Sequence, residues 1–527
     1  APANLIDGIV PSTTRYTWAN PVDNPVGSIT GQSAQLVATT SVGQSLNNIT
    51  NVPATISYTV TPIAGSCTGA NFTAVITVNP KPDITAQART ICSEETFTVT
   101  PVNSVDGIVP NNTTYTWNIP VSNPPGAVTG WATQTTAANL ISQQLTNTTN
   151  AAATLTYNVF PKSGAAGNCI GNPFNVVVSV NAKPVIGNQT RDICSGSAFN
   201  VALTNGGSTI IPANTTYKWF VSTNNSNITG QSDVNIYQTS ISQTLTNNTN
   251  VAQQITYTVT PKSGAIGQCV GATFLVTVTV NPKAAIANTT ATACSGSSFS
   301  VTPTNGTDIV PLGTTYAWSS LPVVTGGLTG GATATGQSSI SGTLTNPTNT
   351  PQTATYTVTP TSGLCNGPTF TVVATINPKP AIANKTATIC SGDAFTITPN
   401  NSGSEIVPAS TTYTWTISTN TNITGQSAQS SAQSSIGQTL TNLTNTAQTI
   451  TYTVTPTSGA AGNCVGSTFT VVVTVNPKPR IANKTATTCS GVGFTVTPTN
   501  GTDIVPSGIR YAWSAPTVTG GLTGGVS

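Results

Sequence analysis

The chain has 527 residues, of which 5% are charged and 37% hydrophobic, with a net charge of +3 and no His or Met. Charge this scarce beside that much apolar residue excludes disorder driven by charge. It also leaves no electrostatic footprint for nucleic acid or anionic membrane. Without His, Ser/His and Cys/His catalysis and His-ligated metal sites are excluded, and no apolar run reaches the ~18 residues of a membrane helix.

Taken in chain order, the sequence is a series of repeats. Residues 1–80 form a first repeat that lacks its opening strands, followed by repeats at 81–181, 182–282, 283–378 and 379–477; a sixth starts at 478 and runs to 527. Both ends fall inside repeats and there is no initiator Met, so a signal peptide, anchor and export tag are expected outside this stretch.

The second repeat shows the whole pattern: Cys92-Ser93, alternating residues 97–101, Asp106-Gly-Ile-Val-Pro110, Thr114-Tyr-Thr-Trp117, Leu145-Thr-Asn147, residues 157–161, Cys169, and residues 174–180. The Trp of the Tyr-x-Trp element marks the period. Trp18, Trp117, Trp219, Trp318, Trp415 and Trp513 are 97 to 102 residues apart, a regularity that only a repeat architecture produces.

Within each repeat, apolar residues alternate with Thr or Ser over five to eight positions, as in Phe395-Thr-Ile-Thr-Pro399. Gly, Pro and Asn punctuate the boundaries. This is the pattern of half-buried antiparallel strands. Some seven short strands with an aromatic strand in the first half predict an immunoglobulin-like sandwich. The six Trp are expected in the cores, packed against the Tyr-x-Val strand near the end of each repeat. Trp131, present in the second repeat alone, is expected to fill a local gap.

Ten cysteines recur two per full repeat: Cys67, Cys92, Cys169, Cys194, Cys269, Cys294, Cys365, Cys390, Cys464 and Cys489. None lies in a CxxC pair, so structural disulfides in an oxidising compartment are expected, not metal ligation. From Cys67, Cys169, Cys269, Cys365 or Cys464 to the next cysteine is always 25 residues, whereas the intervals between these segments run from 71 to 77. The constant segment reads as a last strand, a stiff joint and the next first strand. Three pairings stay open: within a repeat (Cys92 with Cys169), to the next repeat (Cys92 with Cys269), or across the 25-residue segment. A sandwich places Cys92 and Cys169 at opposite poles, beyond the ~7 Å that a disulfide spans between Cα atoms.

The joint holds Pro80, Pro82, Pro184, Pro282, Pro378, Pro380, Pro477 and Pro479. Proline fixes φ and favours extended backbone, so these positions are expected to limit bending between repeats. The joint lysines (Lys81, Lys183, Lys283, Lys379, Lys478) read as solvated charges that blunt sheet edges. A carboxylate precedes Ile-Val-Pro in five repeats (Asp7, Asp106, Asp308, Glu405, Asp503), with Ser208 in the third. A single acid in a turn caps backbone amides more readily than it binds calcium. No catalytic group, metal or cofactor is expected, and a twisted sandwich is a poor base for a flat Thr array that would bind ice or mineral.

The ordered run CSGxxFxVxP, GTTYxWS, TLTN, TYTVTP, C and FTVxVTVNPKP resembles the PKD-like, Ig-like repeats of very large cell-surface proteins of the Bacteroidota, over essentially the whole chain. That resemblance implies an all-β tandem array of PKD-like/Ig-like sandwich domains of about 97–102 residues. It further implies export by type IX secretion and membership of a giant adhesin or filament attached at the outer membrane, in some species one that serves gliding motility. The expected function is a stalk or shaft that bears load and projects an adhesive tip. The alternative is that the repeats themselves bind glycans or proteins through the variable stretch after each Trp. The partners implied are the other repeats of the chain, extracellular glycans or surfaces, and the motility or secretion machinery through regions beyond this stretch; nucleic acid is not among them.

Overall fold

The computed structural model describes residues 8–165, 167–264, 267–460 and 462–527. The chain divides into two compact units, residues 1–247 with 253–280, and residues 248–252 with 281–527. All regular structure among the described residues is β.

In the first unit, the second repeat is a two-sheet sandwich. Its larger sheet runs in the order Gln87–Cys92, Phe174–Asn181, Ala153–Lys162, Thr114–Trp117 and Gln134–Ala138, with Val121–Asn123 also pairing to Ala153–Lys162. The smaller sheet is Glu95–Val99, Ile141–Asn147 and Val128–Thr129. The pairings are antiparallel with one exception. The first strand lies parallel to the last, from Gln87 opposite Val176 to Cys92 opposite Asn181. Parallel pairing needs a crossover, and here the rest of the repeat provides it.

The alternation of apolar and hydroxyl residues sends every second side chain inward. Leu155, Tyr157 and Val159 meet Val176, Val178, Val180, Phe97 and Leu145 in one core. Each such burial is worth roughly 1.5–3 kcal/mol relative to exposure. Trp117 stands edge-on to Tyr157 at 6.1 Å, and Phe97 tilts against the same ring at 5.3 Å. The Trp117 Nε1 donates to the Ala132 carbonyl, so the indole is buried without an orphaned donor. The third repeat has the same strand orders, and so does the larger sheet of the fourth and fifth in the second unit.

Trp18, Trp117, Trp219, Trp318 and Trp415 are buried. Trp513 departs from the sequence expectation of a core residue, because it is 66% exposed. Residues 505–527 carry no strand, so no sheet closes over its ring. Trp131 lies on the surface, its Nε1 donating to the Val128 carbonyl.

The inter-repeat junction as candidate functional site

The parallel first strand determines what lies at each junction. It carries Cys92 to the level of Asn181, at the end of the second repeat. Ser93 N then donates to the Asn181 carbonyl, and Ser93 Oγ accepts the N–H of Asn147. Asn147 is 2% exposed. Its Nδ2 donates to the carbonyls of Val180 and Ala151, and its Oδ1 accepts from Thr149 N. Asn346 and Asn442 repeat this set with Ser295 and Ser391. This asparagine is a structural residue to which sequence reasoning gave no role. Its signal was available in the recurring Leu-Thr-Asn element.

On the far side of the junction sits the hairpin before the last strand of the next repeat. Ser263 N donates to the Cys269 carbonyl, and Gly271 N to the Pro261 carbonyl. The hairpin packs closely on the joint. A Cβ at Gly267, whose φ is +99°, would meet Asn181 Nδ2 at 2.7 Å, and one at Gly271 would collide with the Pro184 carbonyl. In the second unit Gly462 and Gly466 stand in the same relation to Asn377 and Pro380. Glycine is required because backbone and joint touch.

This contact brings two cysteines together. Cys92 is bonded to Cys269 and Cys294 to Cys464, each with a Cα–Cα distance of 5.6 Å. Both bonds join a first strand to the hairpin of the following repeat. They are neither the within-repeat pair, such as Cys92 with Cys169, nor a closure of the 25-residue segment. The cause is the polarity of the first strand, which delivers its cysteine to the pole where the next hairpin docks. Cys194 and Cys365 are also disulfide-bonded. Cys67, Cys169, Cys390 and Cys489 are free thiols.

The variable spacing arises in part at this hairpin. In the fourth repeat a tight turn at Gly363 pairs Ser362 with Cys365, whereas the second, third and fifth repeats use longer loops with Asn168, Gln268 and Asn463 at positive φ.

Within the joints, Pro80, Pro82, Pro184, Pro282, Pro378 and Pro380 are buried, Pro477 is half-buried and Pro479 is exposed. Lys81 Nζ donates to Asn172 Oδ1, and Lys183 pairs with Glu94 at 2.7 Å; Lys283 is half-buried, and Lys379 and Lys478 are exposed. The carboxylates tie the start of the first strand to the Ile-Val-Pro loop. Asp308, Glu405 and Asp503 accept the N–H groups of Ala287, Ala383 and Ala482. Asp106 accepts from Val102 N and Gln87 Nε2, Ser208 is exposed, and Asp7 lies outside the described residues. Lys385 and Lys484 add ion pairs to Glu405 and Asp503. For Asp503 the Lys484 hydrogen bond leads, and its carboxyl is held below the usual range. For Glu405, burial acts upward and is outweighed by the Lys385 and Ala383 hydrogen bonds, so its carboxyl is also lowered. Among the described residues no cluster of three metal-ligating side chains occurs.

The strand order, the paired sheets and the junction are those of tandem Ig-like β-sandwiches. The chain belongs to the PKD-like domain family, whose model matches residues 3–82, 89–184, 191–284, 291–380 and 387–479. No curated protein matches it. Among solved structures it is similar to the human desmocollin-1 ectodomain, at 12% identity over 88% of this chain and 93% of that one, with a TM-score of 0.19. The I-band fragment I67–I69 of titin gives 12% identity, 56% of this chain, 97% of that one and 0.23. Drosophila N-cadherin EC1-4 gives 11%, 75%, 100% and 0.18. Superpositions this loose carry no argument about function. The disulfides are those of an extracellular domain, formed where thiols are oxidised.

Proposed function

We propose that the chain is a load-bearing stalk segment of a very large secreted adhesin or filament held at the outer membrane, without enzymatic activity of its own. The observation that carries this reading is the bond between Cys92 and Cys269, which staples one repeat to the next. The buried joint prolines and the hairpin glycines support it, because both reduce the freedom of the joint. On this reading adding repeats adds reach, and the sparse charge makes the shaft insensitive to salt. The resemblance of the repeats supports type IX export and a place in adhesion or gliding. The partners are then the neighbouring repeats, with extracellular glycans, surfaces or secretion and motility machinery engaged elsewhere.

Electron microscopy of the purified chain with and without reductant tests this. A straight rod of roughly 200 Å, about five strand-length repeats long, that becomes flexible on reduction is the expected result. Randomly bent beads in both conditions would sink the stalk reading and favour independent glycan- or protein-binding modules.

A further inference from the structure

In the third repeat the strands Thr216–Thr223, Gln253–Lys262 and Phe274–Asn281 turn alternate residues away from the core. One outward row is Phe220, Thr258 and Leu275, paired across the three strands. Phe220 is 48% exposed and Leu275 39%. Further along the same face Lys218 lies opposite Thr260, and Lys262 opposite Thr216. Lys218 Nζ stands 5.4 Å from the ring centroid of Tyr237, on the strand Val234–Gln238, and Lys262 Nζ stands 4.6 Å from the same centroid.

The other repeats show that the fold does not ask for these side chains. The strand registers put Thr414, Thr416, Ala432, Thr457 and Thr470 of the fifth repeat where Lys218, Phe220, Tyr237, Lys262 and Leu275 stand in the third. The second repeat keeps a lysine, Lys162, but carries Thr116 and Ala137 at the places of Lys218 and Tyr237. A lone exposed apolar residue needs no explanation. Two aromatic rings, a leucine and two ammonium groups gathered on one sheet face do.

The charges on this face are uncompensated. Among the described residues neither lysine joins an ion pair. Lys262 Nζ donates to the neutral Gln268 Oε1, and the carboxylate of Asp233 is engaged with the Val221 N–H. Two ammonium groups held against one ring repel each other, and an anion shared by them relieves that repulsion. Beside them lie apolar side chains and Thr hydroxyls that both donate and accept. We propose that this face binds an acidic polysaccharide, a chain of pyranose rings bearing carboxylate or sulfate groups. Lys218 and Lys262 take the anion, Phe220 and Leu275 pack against the C–H face of a ring, and Thr258 and Thr260 exchange hydrogen bonds with its hydroxyls. An acidic peptide satisfies the lysines but leaves the hydroxyl rows without a partner. The site goes beyond the stalk reading, to which it adds a lateral hold at the third repeat. Its failure leaves the shape of the chain, on which that reading is tested, unaffected.

The test is affinity electrophoresis and calorimetric titration of the full chain with polygalacturonate, dextran sulfate, neutral dextran and polyglutamate. Binding of an acidic polysaccharide that weakens with salt is expected, with none of dextran and binding of polyglutamate weaker by about tenfold or more. Tighter binding of polygalacturonate assigns the anion as carboxylate, and tighter binding of dextran sulfate assigns it as sulfate. Lys218→Thr with Lys262→Thr, and Phe220→Thr alone, install residues that the fifth repeat carries in the same fold. Each should weaken polysaccharide binding about tenfold or more, with the circular dichroism unchanged. Lys162→Thr with Lys379→Thr removes the same charge elsewhere and should leave binding as it was. The proposal is overturned if neither acidic polysaccharide binds, if polyglutamate binds as tightly, or if the variants of the third repeat bind like the parent. An equal loss in the Lys162 and Lys379 pair also overturns it, since the attraction is then that of scattered charge.

Discussion

Asn147 Nδ2 lies 2.7 Å from the Val180 carbonyl and the same distance from that of Ala151. One amide thus ties the end of the last strand to the turn that follows Ile141–Asn147. Replacing Asn147 with Ala leaves buried carbonyls without a donor, which costs about 1–3 kcal/mol for each group left unpaired. Urea unfolding of the chain should show one lowered transition for Asn147→Ala, whereas exposed Thr136→Ala should leave all transitions in place. Equal behaviour of the two variants would remove Asn147 from the structural framework.

The sandwich was legible in the sequence because strand alternation is a local signal. Tyr115 and Trp117 point inward together for the same reason that Thr116 between them does not. The core at Trp117 follows from that period and the need to bury an indole. The parallel pairing of Gln87–Cys92 with Phe174–Asn181 was not legible, since it joins residues some 90 apart through a crossover. The cysteine pairing depends on that strand direction, so three connectivities stayed open from spacing alone. Trp513 shows the converse limit: its motif matches the others, but burial needs partner strands and not the motif by itself.

The core tyrosines make the fold sensitive to alkali. Burial raises the Tyr452 hydroxyl to about 12, and burial with the Asp106 charge raises Tyr115 to about 12. A folded-state value above the ordinary 10 contributes stability that is complete below pH 10 and is lost as pH climbs toward 12. Absorbance of tyrosinate near 295 nm should therefore rise together with loss of β-structure by circular dichroism. Full ionisation of these groups near pH 10 with the fold intact would contradict their burial.

At the acid end the ion pair of Glu405 with Lys385 acts in the opposite sense. Its lowered carboxyl contributes stability above the ordinary value of 4.5, and that contribution is lost as pH falls through the folded-state value. Glu405→Gln should reduce the acid dependence of the fifth repeat in that window while leaving its behaviour at pH 7 to 9 free of new titrations. An unchanged acid limb in the variant would show that the pair is screened by solvent.

Pulling provides a separate test of the staples. Cys92 and Cys269 are 177 residues apart in sequence, a length that spans roughly 600 Å when extended. In the oxidised chain, stretching from the ends should release none of this length even after the second and third repeats unfold. With reductant present it should appear in full. Release of the same length without reductant would mean that the bond does not carry the load.

The bond between Cys92 and Cys269 also alters what a protease can achieve. The surface loops between strands are where peptide bonds are most readily cut, and each sandwich exposes several of them. A single cut anywhere between residues 92 and 269 leaves the two pieces joined through sulfur, and the same holds between 294 and 464. Along those stretches the molecule tolerates hydrolysis of its own backbone and still remains one covalent body.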